Sequence, residues 1–337
     1  MAPVEPFTFV DGERLLRFGS GVLAEAGELL VRRGFAGYAL LTTERARDVA
    51  RGLETEAVKV IEVGPGPVPE LATAHRSKVG GLPLVALGGG RVVDVAKAIA
   101  GADGLACAAI PTTLAGSSFT PFHRLPNDAP GARMVRPALV IADPNLMASA
   151  PLPLLAATAM NAFAHAFEAL YTPLANPVSE GAALAAAAAL SRGLADRSGA
   201  AREELALGAA LAGYAVGTTG FAIHHATCQT IVRVVSTPHA ETNAVVLPHS
   251  VDFMVARAPR EVGLFAEAIG ADGPAAASRV IASLAAGSGI RSLSDLGIQP
   301  AWIPHLAKAV AEHPALANTP GVRPAVAEVE GLLVAAL

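Results

Sequence analysis

The chain changes character once, near residues 150–153, and that break limits what it can fold into. Before it, five short apolar runs recur: Tyr38 to Thr42, Val58 to Val63, Leu84 to Leu87, Ala106 to Ile110 and Ala138 to Ile141. Each has strand length and stops at glycine, proline, threonine or aspartate. Helix-like stretches such as Thr43 to Leu53 and Val92 to Ala100 lie between them. This alternation predicts a Rossmann-like α/β domain with a parallel sheet. Past Pro151 the strand signals vanish, and alanine and leucine recur at helical spacing. Helices are expected over Asn161 to Tyr171, Glu180 to Ala195, Arg202 to Gly217, Pro259 to Ile269, Pro274 to Ala286 and Val326 to Leu337. We therefore expect an α/β domain over residues 1–151 and an all-α domain over 152–337. The alanine run Ala182 to Ala189 reads as close helix packing.

Composition narrows the function classes. Of 337 residues 52% are hydrophobic and 16% charged, with net charge -4, so the chain is not disordered. No basic stripe suggests nucleic acid. The longest apolar stretch, Gly181 to Leu190, is too short to span a bilayer. The start, Met1 to Pro6, lacks the pattern of a signal peptide. Cys107 and Cys228 lie far apart in apolar segments, which fits a reducing cytoplasm. A soluble cytoplasmic protein acting on a small molecule is the expectation.

Two sets of residues carry chemistry. Gly88, Gly89 and Gly90 follow a strand and open a helix, where the backbone can approach a phosphate and free N–H groups can bind it. Asp94 and Lys97 follow one turn later; the plain structural reading is a tight turn with a surface ion pair. Thr112 and Thr113 end the next strand, at the mouth where such sheets bind ligands. Thr42 and Thr43 end the strand that would select the ribose. Without an acid at its tip, and with Glu44, Arg45 and Arg47 just beyond, NADPH is expected to be tolerated beside NADH.

The second set is imidazole-rich. His225 and His239 are fourteen apart, and His224 precedes them. Upstream, Asn161 and His165 stand four apart and share a helix face. His225 is read as lying after a helical stretch, and His239 as following a proline that ends one. Any one of these histidines reads best as a hydrogen-bonded core residue. Together, an amide oxygen and three imidazoles are a candidate four-ligand set for a divalent metal, iron or zinc.

The order GGG-x3-D-x2-K, PTT-x-AGS, MNAxAHxxEALY and HH-x12-PHAETxAVVLPH resembles the iron-containing alcohol dehydrogenases. The two long motifs resemble their maleylacetate reductase branch most closely. The resemblance runs from about Phe18 to the C-terminus, where Val322 to Val326 also fits. It implies the architecture of dehydroquinate synthase and the group III alcohol dehydrogenases, with nicotinamide and substrate in a cleft between two domains. It also implies a homodimer and a place in the breakdown of aromatic compounds. By position, Gly88, Gly89, Gly90, Asp94, Thr112 and Thr113 match dinucleotide contacts, and His165, His225 and His239 match metal ligands. The fourth ligand, an aspartate in the metal-dependent enzymes, is Asn161 here, as in maleylacetate reductases. Losing that carboxylate weakens cation binding and leaves imidazoles that favour an anion. The histidines are therefore read first as substrate and oxyanion ligands, and second as a weak metal site.

The chain also departs from its relatives. Gln229 stands where a histidine, a candidate proton donor, is usual. The glycine pair of relatives is replaced within Thr230 to Arg233, which puts Arg233 close to the site in sequence. Ser118 replaces a glutamate, Arg91 a serine, and Phe122-His123-Arg124 lies where a tryptophan-glycine pair is common. Ser118, His123, Gln229 and Arg233 are thus expected to face the substrate. The leading expectation is an NAD(P)H-dependent reductase of a 4-oxo-2-enedioate such as maleylacetate. His224, His123 or water would supply the proton. A metal-dependent aldehyde or ketone reductase stays open, as does a repurposed dehydratase, isomerase or cyclase. A pure binding protein is the remaining class.

Overall fold

Alternate residues of each central strand point to opposite faces, and here both faces are apolar. The structure, a computed structural model, describes residues 7–11, 13–50, 52–196 and 201–337; Met1 to Pro6 lie outside them. The chain divides into two compact units, Met1–Ser149 and Ala150–Leu337.

The first unit holds one seven-stranded sheet. Its strands are β1 (Phe7–Asp11), β2 (Arg14–Phe18), β3 (Ala39–Thr42), β4 (Lys59–Glu62), β5 (Leu84–Gly88), β6 (Cys107–Pro111) and β7 (Leu139–Ala142). Their spatial order is β1-β2-β7-β6-β5-β3-β4. Only the β1–β2 pair is antiparallel; β2, β7, β6, β5, β3 and β4 run parallel. The five strands read from the sequence are β3 to β7, and the hairpin β1–β2 adds to them. The helices are α1 (Ala26–Arg32), α2 (Glu44–Val49), α3 (Gly52–Glu56), α4 (Val68–Val79), α5 (Gly90–Asp103) and the short α6 (Pro144–Met147). The helix expected from Thr43 to Leu53 is broken after Val49, because Ala50 leaves helical geometry at φ -142.

Ala39, Leu41, Leu84, Ala86 and Ala109 face one apolar layer, with α4 and α5. Leu40, Val85, Leu87, Ala108 and Ile110 face the other, with α1. Covering both faces explains the near-continuous apolar runs. The strand order reverses between β3 and β5, because β4 lies outside β3 and the later strands lie on the other side. In open α/β sheets such a reversal opens a crevice at the carboxyl ends of the strands.

The second unit is helical: α7 (Leu152–Glu168), α8 (Pro177–Ala195), α9 (Arg202–Thr219), α10 (Ile223–Val235), α11 (His239–Met254), α12 (Pro259–Ala268), α13 (Pro274–Ala285), α14 (Ile303–Ala311) and α15 (Val326–Ala335). α8 and α9 approach very closely. A Cβ on Gly208 would lie 2.7 Å from Leu190 Cγ, and one on Gly193 2.6 Å from Leu205 Cδ2. The alanine run of α8 packs there. No single helix among the described residues is long and apolar enough to cross a membrane.

Candidate active site

In the first unit the glycine turn packs tightly. A Cβ on Gly88 would sit 2.7 Å from Val92 Cγ2, and those on Gly89 and Gly90 would press Thr113 and Ser117 at 3.1 Å. None of the three has a left-handed backbone. The glycines are therefore needed for internal approach of β5, α5 and the loop after β6. Gly89 is the N-cap of α5 and has no side-chain capping bond, while Gly89 and Gly90 are half-buried. An uncapped helix start at the end of β5, beside the reversal, fits a phosphate. Thr112 and Thr113, also half-buried, end the neighbouring β6.

Several expected roles change in this unit. Lys97 is fully buried, not a surface residue. Its ammonium lies 3.2 Å from Asp94 Oδ1 and donates to the carbonyls of Ser117 at 2.9 Å and Phe122 at 2.6 Å. It ties α5 to the loop after β6. Ser118, expected to face substrate, is 1% exposed. Its neighbour Ser117 is the more open of the two. Thr42 is buried at the end of β3, and Thr43 caps α2 by accepting from the Ala46 N–H. His123 is committed at both nitrogens. Nε2 accepts from the Val135 N–H at 3.0 Å, so Nδ1 carries the proton and donates to the Arg124 carbonyl, also at 3.0 Å. Burial holds its pKa down. It is a fastener for its loop, not a proton donor.

In the second unit α7 supplies Asn161, His165 and Glu168, spaced so that all three share one face. α10 begins just before His225, and α11 begins at His239. His225 thus lies inside a helix, and Pro238 opens a helix instead of ending one. His225 Nδ1 is 2.7 Å from Glu168 Oε2, and its Nε2 is 3.2 Å from Asn161 Oδ1. Glu168 Oε1 also accepts from the His225 backbone N–H at 3.2 Å. Asn161, His165, His225 and Glu168 are all buried.

Burial raises the Glu168 carboxyl to about 7, and burial with nearby imidazoles drives His225 and His165 well below the ordinary histidine range. Glu168 and His225 therefore favour a neutral pair sharing one proton between Oε2 and Nδ1. With Asn161 Oδ1 as acceptor, Nε2 of His225 carries the other proton. His225 is thereby an N–H donor backed by a buried acid. Its ring stacks on Phe221, with centroids 4.4 Å apart, and on His165 at 4.8 Å. The Phe221 carbonyl is held by Asn318 Nδ2 at 2.8 Å.

Of the four candidate metal ligands, Asn161, His165 and His225 come together here. The rings of His165 and His225 are nearly parallel, 9° apart. Asn161 is neutral and already within hydrogen-bond distance of His225. Among the described residues, no group of three or more His, Cys, Asp or Glu side chains is arranged to hold a metal ion. Without a carboxylate at Asn161, the set binds a divalent cation more weakly than the family's aspartate set would.

His239 is exposed and sits one turn before the buried Asn243. Gln229 and Arg233 follow His225 by one and two turns along α10; Gln229 is half-buried and Arg233 exposed. His224 is fully buried and bonded at both nitrogens, to Ser250 and Asn243, so it is not placed to hand a proton to substrate. Glu168 and Asn243 are the residues that sequence reasoning left without a role. Both lay in the recognised motifs, at helical spacing from His165 and His239.

Comparison with known proteins settles the kinship. Residues 17–151 match the family model "Iron-containing alcohol dehydrogenase", and residues 155–337 match "Fe-containing alcohol dehydrogenase family, C-terminal". The chain belongs to the iron-containing alcohol dehydrogenase family. Within this oxidoreductase family it falls in the maleylacetate reductase-like branch. Maleylacetate reductase 1 of Rhodococcus opacus is 34% identical over 87% of this chain and 86% of its own length. The maleylacetate reductase of Burkholderia cepacia is 35% identical over 83% and 84%. Among solved family structures, maleylacetate reductase from Agrobacterium tumefaciens matches at TM-score 0.84 and 28% identity, covering 99% of both chains. An iron-containing alcohol dehydrogenase from Corynebacterium glutamicum matches at TM-score 0.86 and 29% identity, covering 99% of this chain and 97% of that one.

Proposed function

We propose that this chain is an NAD(P)H-dependent reductase of a small 4-oxo-2-enedioate such as maleylacetate, giving 3-oxoadipate, in the cytoplasmic breakdown of aromatic compounds. The observation that carries the reading is the His225 donor, held between Asn161 and a buried Glu168. Bound nicotinamide supplies the hydride, and the alkene carbon remote from the ketone accepts it. Electron density then moves to the ketone oxygen. The N–H of His225, released from Asn161 Oδ1 as substrate binds, stabilises that oxygen as an enolate, with His239 and His165 near it. Water delivers the proton to carbon, because His224 and His123 are committed elsewhere and Gln229 cannot titrate. Reduced nicotinamide, one proton and the enone give oxidised nicotinamide and the saturated ketone.

Gly88, Gly89, Gly90, Thr112 and Thr113 hold the dinucleotide on the first unit, with Asp94 and Thr43 near it. The tip of β3 ends in Thr42 and Thr43, with Glu44, Arg45 and Arg47 just beyond, and accepts NADH and NADPH alike. Arg233 on α10 is a counter-charge for the second carboxylate of the substrate. Arg233 follows His225 by two turns of α10, and side chains on a helix lean toward its N-terminus. The working form is a homodimer, to be checked by light scattering.

The test is nicotinamide oxidation followed spectrophotometrically with maleylacetate and each cofactor, before and after chelation. Turnover with both cofactors that survives chelation supports the reading. A requirement for iron or zinc, with aldehydes preferred as substrates, selects the metal-dependent alternative. Turnover of a substrate without nicotinamide oxidation selects a repurposed, non-redox enzyme.

A further inference from the structure

Four polar side chains form a connected line in the helical unit: Ser250, His224, Asn243 and His239. The first three are fully buried. Ser250 Oγ is 3.1 Å from His224 Nδ1, and His224 Nε2 is 2.8 Å from Asn243 Oδ1. Asn243 Nδ2 donates to the His239 carbonyl at 2.7 Å and lies 3.4 Å from His239 Nε2.

The proton positions follow in order. A carbonyl only accepts, so the Asn243 atom facing it is the amide nitrogen. The amide oxygen then faces His224, whose Nε2 must carry the hydrogen. Nδ1 of His224 is left as an acceptor facing the Ser250 hydroxyl, whose one hydrogen it shares with the Val246 carbonyl, also at 3.1 Å. This is a neutral imidazole. The second amide hydrogen of Asn243 faces Nε2 of His239, which makes that nitrogen the acceptor.

We propose that Asn243, backed by His224 and Ser250, is a positioning residue that fixes His239 in the tautomer protonated at Nδ1. His239 then meets the anionic oxygen of the substrate as an N–H donor, not through the Nε2 lone pair a metal would need. A buried network of this kind rigidifies its end group because every member is satisfied. The role in turnover rests on the reductase reading above; the tautomer does not.

The test uses the full chain labelled with 15N-histidine, with the His239 signals assigned by their loss in His239→Gln. The expected result is a proton on Nδ1 and a bare Nε2. A proton on Nε2 overturns the proposal, whatever the substrate proves to be. In Asn243→Asp the carboxylate accepts where the amide donated, so the proton should move to Nε2. The kcat should then fall about 10- to 100-fold, as for other lost outer partners of a site histidine, with the KM for nicotinamide unchanged. An unmoved tautomer, or a moved tautomer with unchanged kcat, overturns the positioning role. If Asn243→Asp does not fold, the wild-type tautomer decides alone.

Discussion

At the scale of single residues, His225 carries the most. Replacing it with alanine removes the N–H donor and leaves Glu168 buried without its partner. His225→Ala should lower kcat about 100-fold or more, as loss of one oxyanion donor does elsewhere. The spectrophotometric assay reads this, with circular dichroism checking the fold. Gln229→His, one turn further along α10, should be tolerated or activating. The imidazoles of the site were legible in the sequence because their motifs are long and specific. The partner of His225 was less so, since Glu168 lies 57 residues away and its role depends on how α7 meets α10. His123 and His224, left open beside water as proton sources, could not be narrowed for the same reason. Titratable type is visible in a sequence, but commitment of both ring nitrogens is not.

At the scale of elements, two contacts allow firm expectations. Gly208→Ala puts a methyl 2.7 Å from Leu190 Cγ and 3.0 Å from the Ala186 carbonyl oxygen. The backbone oxygen cannot yield without moving α8, so the variant should lose about 1–3 kcal/mol of stability in urea unfolding. Lys97→Met leaves Asp94 and two carbonyls of the loop after β6 without their donor, and should cost on the order of 3 kcal/mol. Its dinucleotide affinity, read by fluorescence titration, should fall with it. Helix periodicity disclosed the packing role of the alanine run. It could not disclose that Lys97 turns inward, because a lysine three residues from an aspartate looks the same on a surface.

At the scale of the whole molecule, pH sets competing demands. His165, His224 and His225 have pKa values below 6.5 in the fold, chiefly through burial. Their contribution to stability is present above 6.5 and is lost as pH falls, down to about 3 for His224. Glu168 is raised from 4.5 to about 7, so its contribution is present below 4.5 and lost as pH rises through 7. Three groups outweigh one, and calorimetry should show the unfolding midpoint dropping below pH 6.5. Glu168→Gln should remove the loss that the carboxyl causes on the neutral side. The two-part architecture and strands β3 to β7 were readable from period and punctuation. The hairpin β1–β2 was not, since Arg14 and Arg17 interrupt the apolar pattern of β2, and its place beside β7 comes from pairing far along the chain.

The link between α10 and α11 is only three residues long, and each is pinned. Ser236 has φ 62, the one left-handed backbone outside glycine among the described residues. Thr237 Oγ1 bonds Thr242 Oγ1 at 2.8 Å, and Pro238 is the extended cap of α11. Side chains can drift in such a segment, but its length cannot. One codon gained or lost there would turn His239 by about 100° about its helix axis, since a turn takes 3.6 residues. Lineages of this gene should therefore accumulate point changes at the link while shunning insertions and deletions, and any chimera spliced there must keep the count.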